Sequence, residues 1–264
     1  MLIVGERINS SRESMAQAIA ARDTGFIQNE VTIQAEAGAD YIDVNAGTFL
    51  GEELECLKWV VRVVQDACER PLCIDSPDPR VIEGVLPLVK GSPMINSITL
   101  EPMRLKGILP LVAEHAARVI GLCQSEDTMA ATTEDKLRLA GQLVESVTKA
   151  GIPLDSLYID PLVYPLSTHP ESAVATMEAI ERIMKEFPGV HTICGLTNIS
   201  FGLPKRKLIN RTFLVAAMAR GLDAVILDPT DTALFGTLRA ALAVVAKDDY
   251  CMDYIAAFRQ GRLA

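Results

Sequence analysis

Short apolar segments alternate with helical patterns eight times along this chain of 264 residues, and this alternation restricts the possible folds more than any other feature. The apolar segments, such as LIVGERI, YIDVNAG, LCIDS and AVILDP, are rich in Val, Ile, Leu and Cys. Strands of this composition are usually buried on both faces, as in a parallel sheet that is covered by helices. The chain is therefore predicted to be an α/β protein.

Helical patterns follow each of the eight predicted strands. In the second of them Leu54, Leu57 and Val61 recur at helical spacing, with charged residues on the opposite face. In the sixth, Thr132 is expected to cap the start of the helix and Gly151 to end it. The helices are expected at about 13–37, 51–70, 79 onward, 102–116, 132–151, 170–186, 207–220 and 231 onward.

Eight strand–helix units close most naturally into a (β/α)8 TIM barrel, which commonly needs about 250 residues. The alternative is an open, doubly wound sheet that binds a dinucleotide. Its GxGxxG sequence is expected after the first strand, but the chain reads GERINSS there. Because no linker divides the sequence, a single barrel domain is expected over residues 1–264.

Composition excludes several classes of protein. The net charge of -9 argues against a nucleic-acid partner. Neither an apolar stretch of membrane-spanning length nor a signal peptide is evident, so no membrane partner is expected. The six cysteines show no CxxC spacing and are expected to be reduced and mostly buried, as in a cytoplasmic protein.

Polar side chains recur at the predicted carboxyl ends of the strands, where the active site of a barrel lies. Asp, Asn and Ser also favour turns and helix caps, which is the simpler explanation for any one of them. That explanation fits the set poorly, because several members precede the turn. The set comprises Glu6, Asn9, Asp43, Asn45, Asp75, Ser76, Asn96, Ser97, Asp160, Asn198, Ser200 and Asp228.

The identities of these residues exclude several kinds of chemistry. None of the nine lysines falls at a predicted strand end, so a Schiff-base aldolase would lack its nucleophile. The three histidines form no ligand pattern, and no metal is expected to be bound by this chain. A Mg²⁺-dependent lyase that uses Asp75, Asp160 and Asp228 is kept as an alternative.

A ring of carboxylates and carboxamides suits a flat heterocycle with adjacent N–H donors. A pterin offers a ring N–H beside an exocyclic amine, and one carboxylate can accept both hydrogen atoms. A neighbouring Asn can match the carbonyl oxygen and the ring nitrogens. The composition of this ring of side chains shows only that the hydrogen-bonding groups of such a ligand would find partners.

Seven motifs resemble those of the methyltetrahydrofolate:corrinoid protein methyltransferases and of the folate module of cobalamin-dependent methionine synthase. Each motif alone is a weak signal, but their order along successive strand ends is specific. The resemblance covers essentially the whole chain. The motifs are GERIN, DVNAG, CIDS, MINS, YIDPL, GLTNISFG and LINRTFLVAAMARGLDAVILDP.

The resemblance implies a set of site residues. Asp75, Asn96 and Asp160 would bind the pyrimidine edge of the pterin, with Asp43 and Asn45 nearby. Asn198 would face N5, the ring nitrogen that carries the methyl group. Ser200 would support the loop that carries Asn198. Arg206 would lie either near the folate or in solvent. Glu6 would either bind the folate or pair with Arg7.

The activity implied by the resemblance is methyl transfer between N5 of 5-methyltetrahydrofolate and Co(I) of a cobalamin-type corrinoid on a partner protein. Phe201 and Gly202, after the NIS motif, resemble methionine synthases, which leaves the methyl acceptor open. A homodimer is the family expectation. Dihydropteroate synthase is an alternative, although its basic residues after strands 6 and 8 are absent here. A pterin-binding protein without catalytic activity is another alternative.

Overall fold

The computed structural model describes residues 1–127 and 130–263, and within them eight parallel strands form the predicted (β/α)8 barrel. Consecutive strands pair with each other, and β1 also pairs with β8. β7 and β8 meet through one bridge between Gly195 and Ile226, which nearly completes the closure. The strands are β1 Leu2–Asn9, β2 Tyr41–Asn45, β3 Leu72–Asp75, β4 Met94–Ile98, β5 Arg118–Leu122, β6 Leu157–Asp160, β7 His191–Thr192 and β8 Ala224–Leu227.

Ten α-helices surround the barrel in the described part of the chain. Most follow the predicted ranges, and the Thr132 hydroxyl caps α6 as expected by accepting from the backbone N–H of Asp135. The helices are α1 Glu13–Ala20, α2 Thr24–Ala37, α3 Glu53–Ala67, α4 Pro79–Val85, α5 Pro102–Glu114, α6 Thr133–Lys149, α7 Ser172–Glu186, α8 Arg206–Ala219, α9 Thr232–Val244 and α10 Met252–Arg259.

Two helical predictions differ from the structure. The range 13–37 contains two helices, because Arg22 is left-handed (φ 53°) and the Asp23 carboxylate caps α2 by accepting from the backbone N–H of Phe26. The sequence analysis also missed α10, a short helix that packs beside α9.

The seventh strand is much shorter than predicted. The apolar run was expected to continue as a strand to Asn198, but β7 ends at Thr192 and residues Leu196–Ser200 form a 3₁₀ helix. Beyond Cys194 the backbone pairs with β8 only at Gly195 and then turns away from the sheet. Asn198 therefore lies on a 3₁₀ turn at the rim of the barrel.

The first strand contains an irregularity that matters for the site. Gly5 pairs with Ile42, but Ile8 pairs with Val44, so one extra residue is accommodated in β1 between these pairs. Leu2 and Val4 pack inside the barrel, which places Glu6 on the inner face by alternation. A β-bulge re-aims side chains, and here Arg7 turns outward to Glu30 of α2.

No helix within residues 1–127 and 130–263 is both long and apolar enough to cross a membrane. All six cysteines are free, and four of them are buried, in agreement with the prediction of mostly buried thiols.

Candidate active site

The carboxyl ends of five strands bring acidic and amide side chains together above the apolar interior of the barrel. The interior layer includes Val4, Cys73 and Met94, and the polar layer follows it by the alternation of side chains along each strand. The polar layer contains Glu6, Asp43, Asn45, Asp75, Asn96 and Asp160, which are all among the residues that the sequence analysis selected.

Hydrogen bonds between residues of different strands hold two of the carboxylates in place. The Asn45 side-chain amide donates to Oδ2 of Asp75 at 3.0 Å. Asn45 is itself oriented, because its Oδ1 accepts from the Ser10 hydroxyl and from the backbone N–H of Gly47, both at 3.0 Å. A longer contact of 3.5 Å joins the amide of Asn96 to Asp43.

Asp160 occupies the opposite side of the polar layer, at the end of β6. Its Oδ1 accepts from the backbone N–H of Leu162 at 2.8 Å, and the side chain is almost fully buried. Leu162 is left-handed (φ 62°), a conformation that non-glycine residues adopt only when surrounding contacts stabilise it. Asp160 is thus positioned by a strained turn.

Burial raises the pKa of every carboxyl group in the polar layer. It raises the pKa of Asp75 to about 6, against the opposing hydrogen bond from Asn45, and that of Asp160 also to about 6. The pKa of Asp43 lies well above its usual value because of burial and the nearby charge of Asp75. Burial and the charge of Asp228 raise the pKa of Glu6 to about 7. Asp75, Asp160 and Glu6 therefore exchange protons near neutral pH.

Asn198 and its supporting residues form the rim of the site between β7 and α8. The Asn198 side chain is exposed, whereas Ser200 is fully buried. Arg206 donates from Nε to the Ser200 hydroxyl at 3.1 Å and from Nη2 to the carbonyl oxygen of Thr197 at 2.8 Å. Both residues clamp the turn that carries Asn198. Their roles toward the folate stay predictions.

The predicted pairing of Glu6 with Arg7 is wrong. Arg7 faces outward because of the irregularity in β1, and it binds Glu30 at 2.7 Å and Asp228 at 2.8 Å. Glu6 points into the barrel, and its carboxyl group takes part in none of the hydrogen bonds found among residues 1–127 and 130–263. Glu6 is consequently free to bind a ligand or water.

Two open cavities flank the 3₁₀ turn of Asn198. The first, of about 630 Å³, includes Asn198, Phe201 and the residues after β6, Leu162–Pro165. The second, of about 550 Å³, includes Glu6 and Thr197. Both lie at the mouth of the barrel, so a ligand can approach the polar layer from above.

The alternative that the selected residues merely cap helices does not account for the ring. The carboxylates that cap helices at the mouth are those of Asp78 and Asp231, three and four residues beyond the ends of β3 and β8. Asp75 and Asp160 precede the caps and turn toward the barrel axis, as their strand positions require. Geometry thus separates Asp75 and Asp160 from the helix-capping residues, while Asp160 and Asn45 also accept from the backbone N–H groups of the turns that follow them.

Lys136 is a functional candidate that the sequence analysis missed, because only strand ends were searched for lysines. It lies on α6, is fully buried, and donates to the carbonyl oxygens of Pro161 at 2.6 Å and Leu162 at 2.7 Å. The helical spacing of Lys136 with buried Ala140 and Leu143 was the available signal. Burial lowers the pKa of Lys136 to about 8.

Arg104 of α5 was missed for the same reason. Its Nη2 donates to the Ser97 hydroxyl at 3.2 Å, and its buried Nε has no partner among the described residues. Its charge also lowers the pKa of Asp75, against the larger effect of burial. Arg104 helps to keep that carboxylate ionised.

Among residues 1–127 and 130–263, no group of three or more His, Cys, Asp or Glu side chains is arranged to hold a metal ion. Asp228, one of the ligands considered for Mg²⁺, is instead paired with Arg7 and accepts from the Thr230 hydroxyl at 2.6 Å.

Comparison with known proteins identifies the family. The family described as "Pterin binding enzyme" matches residues 5–228, which include every strand end of the barrel. The chain belongs to the pterin-binding enzymes. The resemblance that the motifs indicated is thereby confirmed.

Curated relatives refine this assignment. The methylcorrinoid:tetrahydrofolate methyltransferase of Eubacterium limosum is 39% identical over 265 residues, covering 100% of this chain and 98% of the relative. The methionine synthase of Mycobacterium tuberculosis is 29% identical over 86% of this chain, which corresponds to 20% of that longer protein.

Solved structures of pterin-binding enzymes share the barrel. A dihydropteroate synthase from Clostridium difficile, solved in the presence of pteroic acid, has a TM-score of 0.70 at 16% identity, covering 92% of this chain and 96% of that one. One from Xanthomonas albilineans with 7,8-dihydropteroate has a TM-score of 0.64 at 20% identity, with 92% and 91% coverage. At these identities the likeness shows the fold alone.

Proposed function

We propose that this pterin-binding enzyme transfers a methyl group between N5 of 5-methyltetrahydrofolate and Co(I) of a corrinoid that a partner protein carries. The observation that carries the proposal is the ring of Asp75, Asn96 and Asp160 at the barrel mouth, in a chain 39% identical over its full length to a methylcorrinoid:tetrahydrofolate methyltransferase. The folate is a substrate, and the cobalamin-type cofactor belongs to the partner.

In this proposal the polar layer binds the pterin head group. An ionised carboxylate of Asp75 or Asp160 accepts the ring N–H and the exocyclic amine, and Asn96 matches the remaining polar atoms of the ring. Asn45 keeps Asp75 in a fixed orientation, since it donates to Oδ2 of that residue. Asp43 completes the inner surface of the ring through its contact with Asn96.

The chemical difficulty of the reaction lies in the leaving group. A nitrogen anion leaves poorly, so N5 must gain a proton as the methyl group departs in the SN2 displacement. Asn198 is placed on the exposed rim, where its amide can accept a hydrogen bond from protonated N5. Preorganised polar groups of this kind stabilise the charge that develops in a transition state. Arg206 and Ser200 hold the turn of Asn198 in place.

Other parts of the proposal concern assembly and location. One domain over residues 1–264 is proposed to contain the folate site, and the corrinoid protein is proposed to dock transiently above it. A homodimer is proposed, and an apolar groove of about 360 Å³ between α7 and α8, which includes Met177 and Phe213, is a candidate surface for it. The six free cysteines support a cytoplasmic location. Size-exclusion chromatography with light scattering tests the dimer.

The experiment that tests the activity is a spectroscopic methyl-transfer assay. The protein is incubated with methyltetrahydrofolate and reduced cobalamin, with and without EDTA, and the Co(I) absorbance is followed. We expect the absorbance to decay at the same rate with and without EDTA. Folate binding without decay would indicate a pterin-binding protein that is not catalytic. Loss of activity in EDTA, without stabilisation by folates, would indicate the Mg²⁺-dependent lyase.

Dihydropteroate synthase activity is disfavoured by the charges at the mouth. A diphosphate substrate near β8 would face the carboxylates of Asp228 and Asp231, and two basic side chains of the same cavity, Arg7 and Lys207, are already paired with these carboxylates. Lys136, the basic residue nearest the end of β6, is fully buried and bonded to backbone carbonyl groups, so it does not offer its charge to the cavity. The same assay mixture with a pterin diphosphate and p-aminobenzoate is expected to give no pteroate.

A further inference from the structure

The proposed reaction requires a proton, and the sequence offered no acid for it. Among the described carboxyl groups of the polar layer, one candidate takes part in no hydrogen bond. Asp75 accepts from Asn45, and Asp160 accepts from the backbone of Leu162. The carboxyl group of Glu6, by contrast, takes part in no hydrogen bond among the described residues, although it lies in the same polar layer.

Glu6 also lies between the barrel interior and solvent. On the inner side it is close enough to Asp43 for its charge to act on that carboxyl group. On the outer side it lines the cavity of about 550 Å³ that also includes Thr197, the residue before Asn198. A proton that enters through this cavity reaches Glu6 next to the turn that carries Asn198.

The residues that line this cavity include polar side chains that can bind ordered water. Asn210 of α8 is 7% exposed, and its side-chain Oδ1 has no hydrogen-bond partner among the described residues. A buried carbonyl oxygen without a partner is usually satisfied by ordered water, which needs a polar site with several partners. Thr197, Asp228 and Thr230 provide further polar atoms in the same cavity.

We propose that Glu6 exchanges the proton of the methyl-transfer reaction between N5 of the folate and water in this cavity. This inference rests on the proposed function. As the N5–CH₃ bond breaks, its electron pair stays on N5, and the methyl group bonds to the electron pair of Co(I). The protonated carboxyl group of Glu6 supplies the proton to N5, directly or through one water molecule, and then regains a proton from the cavity. In the reverse direction the carboxylate accepts the proton.

The charged groups that face Glu6 support proton exchange near neutral pH. Asp228 of β8 and Asp43 of β2 are acidic, while Arg12 before α1 and Arg206 of α8 are basic. Burial and Asp228 outweigh the two arginines, so the pKa of Glu6 is raised to about 7. The other charged residues of the cavity are paired elsewhere: Arg7 with Glu30 and Asp228, and Lys207 with Asp231. A general acid is most effective when its pKa lies near the working pH.

The first test is the substitution Glu6→Gln, with Glu13→Gln as the control because Glu13 is exposed on α1 outside the cavity. Single-turnover methyl transfer to Co(I) is measured from about pH 5.5 to about pH 9, and folate affinity is measured separately. We expect Glu6→Gln to slow the single-turnover rate by about 10²-fold and to remove the pH dependence near neutrality, with folate affinity nearly unchanged. Glu13→Gln is expected to match the wild type.

The second test changes the neighbour of Glu6 and not Glu6 itself. Asp228→Asn removes a negative charge that raises the pKa of Glu6, so the alkaline limb of the rate profile is expected to move to lower pH. Glu6→Asp is expected to restore part of the rate that Glu6→Gln loses. A structural role for Glu6 would produce neither effect.

Three outcomes would overturn the inference. The first is a pH–rate profile of Glu6→Gln like that of the wild type. The second is an equal loss of rate and folate affinity in Glu6→Gln, with the alkaline limb of the profile retained. The third is an alkaline limb that does not move in Asp228→Asn. An inactive wild-type enzyme would overturn the proposed function and this inference together. If the wild-type enzyme is active and any of the three outcomes is observed, only the proposed role of Glu6 is overturned.

Discussion

The ammonium group of Lys136 donates to the carbonyl oxygen of Pro161 at 2.6 Å from a position with no exposure to solvent. A second hydrogen bond, to the carbonyl oxygen of Leu162, and the nearby ring of Tyr164 complete its surroundings. The segment that Lys136 holds begins directly after Asp160. A buried helix residue thus fixes the backbone that orients a proposed folate ligand.

Replacing Lys136 by Met is expected to weaken both stability and folate binding. The substitution keeps the approximate length of the side chain but leaves buried carbonyl groups unpaired, which costs about 1–3 kcal/mol for each group. Lys149→Met, at an exposed position of the same helix, is the matched control. Thermal unfolding and folate titration measure the two effects. If the Lys136→Met protein is destabilised but binds folate with unchanged affinity, this lysine contributes to stability and not to folate binding.

The carboxylate of Asp75 is expected to contribute more to folate binding than to folding. Asp75→Asn exchanges one oxygen for an amide that repels the N–H donors of the pterin, so folate affinity should fall about 10²-fold, in line with the loss of a charged hydrogen bond. Because burial disfavours the charge, the free protein should not lose stability. Asp66→Asn on the exposed face of α3 is the control.

Isothermal titration with tetrahydrofolate and thermal unfolding of the same samples measure the two effects of Asp75→Asn. Unaltered affinity would remove Asp75 from the site. A large loss of stability would make it a structural residue.

The barrel and most of its polar layer were predictable from local sequence signals. Strand composition and the strand–helix order placed Asp43, Asp75 and Asp160 at the carboxyl ends of strands without tertiary information. A cap such as Thr132 was predictable because capping depends on residues that are close in sequence.

Features that depend on contacts between distant residues were not predictable. The position of Asn198 depends on where the pairing of β7 with its neighbours ends, and the sequence ICGLTNIS contains no signal for that. The outward turn of Arg7 depends on one extra residue in β1 and on the carboxylates of Glu30 and Asp228. The raised pKa of Glu6 likewise results from burial that only the assembled barrel provides.

Arg206 is expected to act through the turn that it clamps. Arg206→Lys keeps the positive charge but loses the planar fork that reaches both Ser200 and Thr197. We expect a turnover rate about tenfold lower, as is typical when a catalytic group is misplaced by a small distance. Lys205→Ala, at the neighbouring exposed position, is the control.

Steady-state kinetics with cob(I)alamin separate the two interpretations of Arg206. If Arg206→Lys turns over as fast as the wild type, the arginine is a solvent-exposed loop charge.

Folate affinity is expected to increase with pH through about 6. Asp75 and Asp160 have a pKa of about 6, and whichever of them accepts the ring N–H and the exocyclic amine of the pterin must be ionised to do so. Below pH 6 a proton must be released on binding, which weakens the affinity. Titration of the folate at several pH values, in buffers of different ionisation enthalpy, measures both the affinity and the protons released.

The same pKa shifts predict the opposite pH dependence for the stability of the free protein. Because the folded-state pKa of about 6 for each residue exceeds the unfolded value, their contribution to stability is fully present below about pH 4 and is lost as the pH rises through about 6. The double variant Asp75→Asn, Asp160→Asn should unfold with less dependence on pH in this range. Equal pH dependence of the double variant and the wild type would contradict the assignment.

Asn198→Ala is expected to slow methyl transfer far more than it weakens folate binding. The Asn198 amide is proposed to interact with N5 only as that atom gains its proton, so its removal should lower kcat by about 10²–10³-fold. Asn29→Ala, the same substitution at an exposed position of α2, is the control. Single-turnover rates and equilibrium folate titrations are compared for the three proteins. Parallel losses of rate and affinity in Asn198→Ala would show that Asn198 binds the ground state and the transition state equally, as a simple binding residue does.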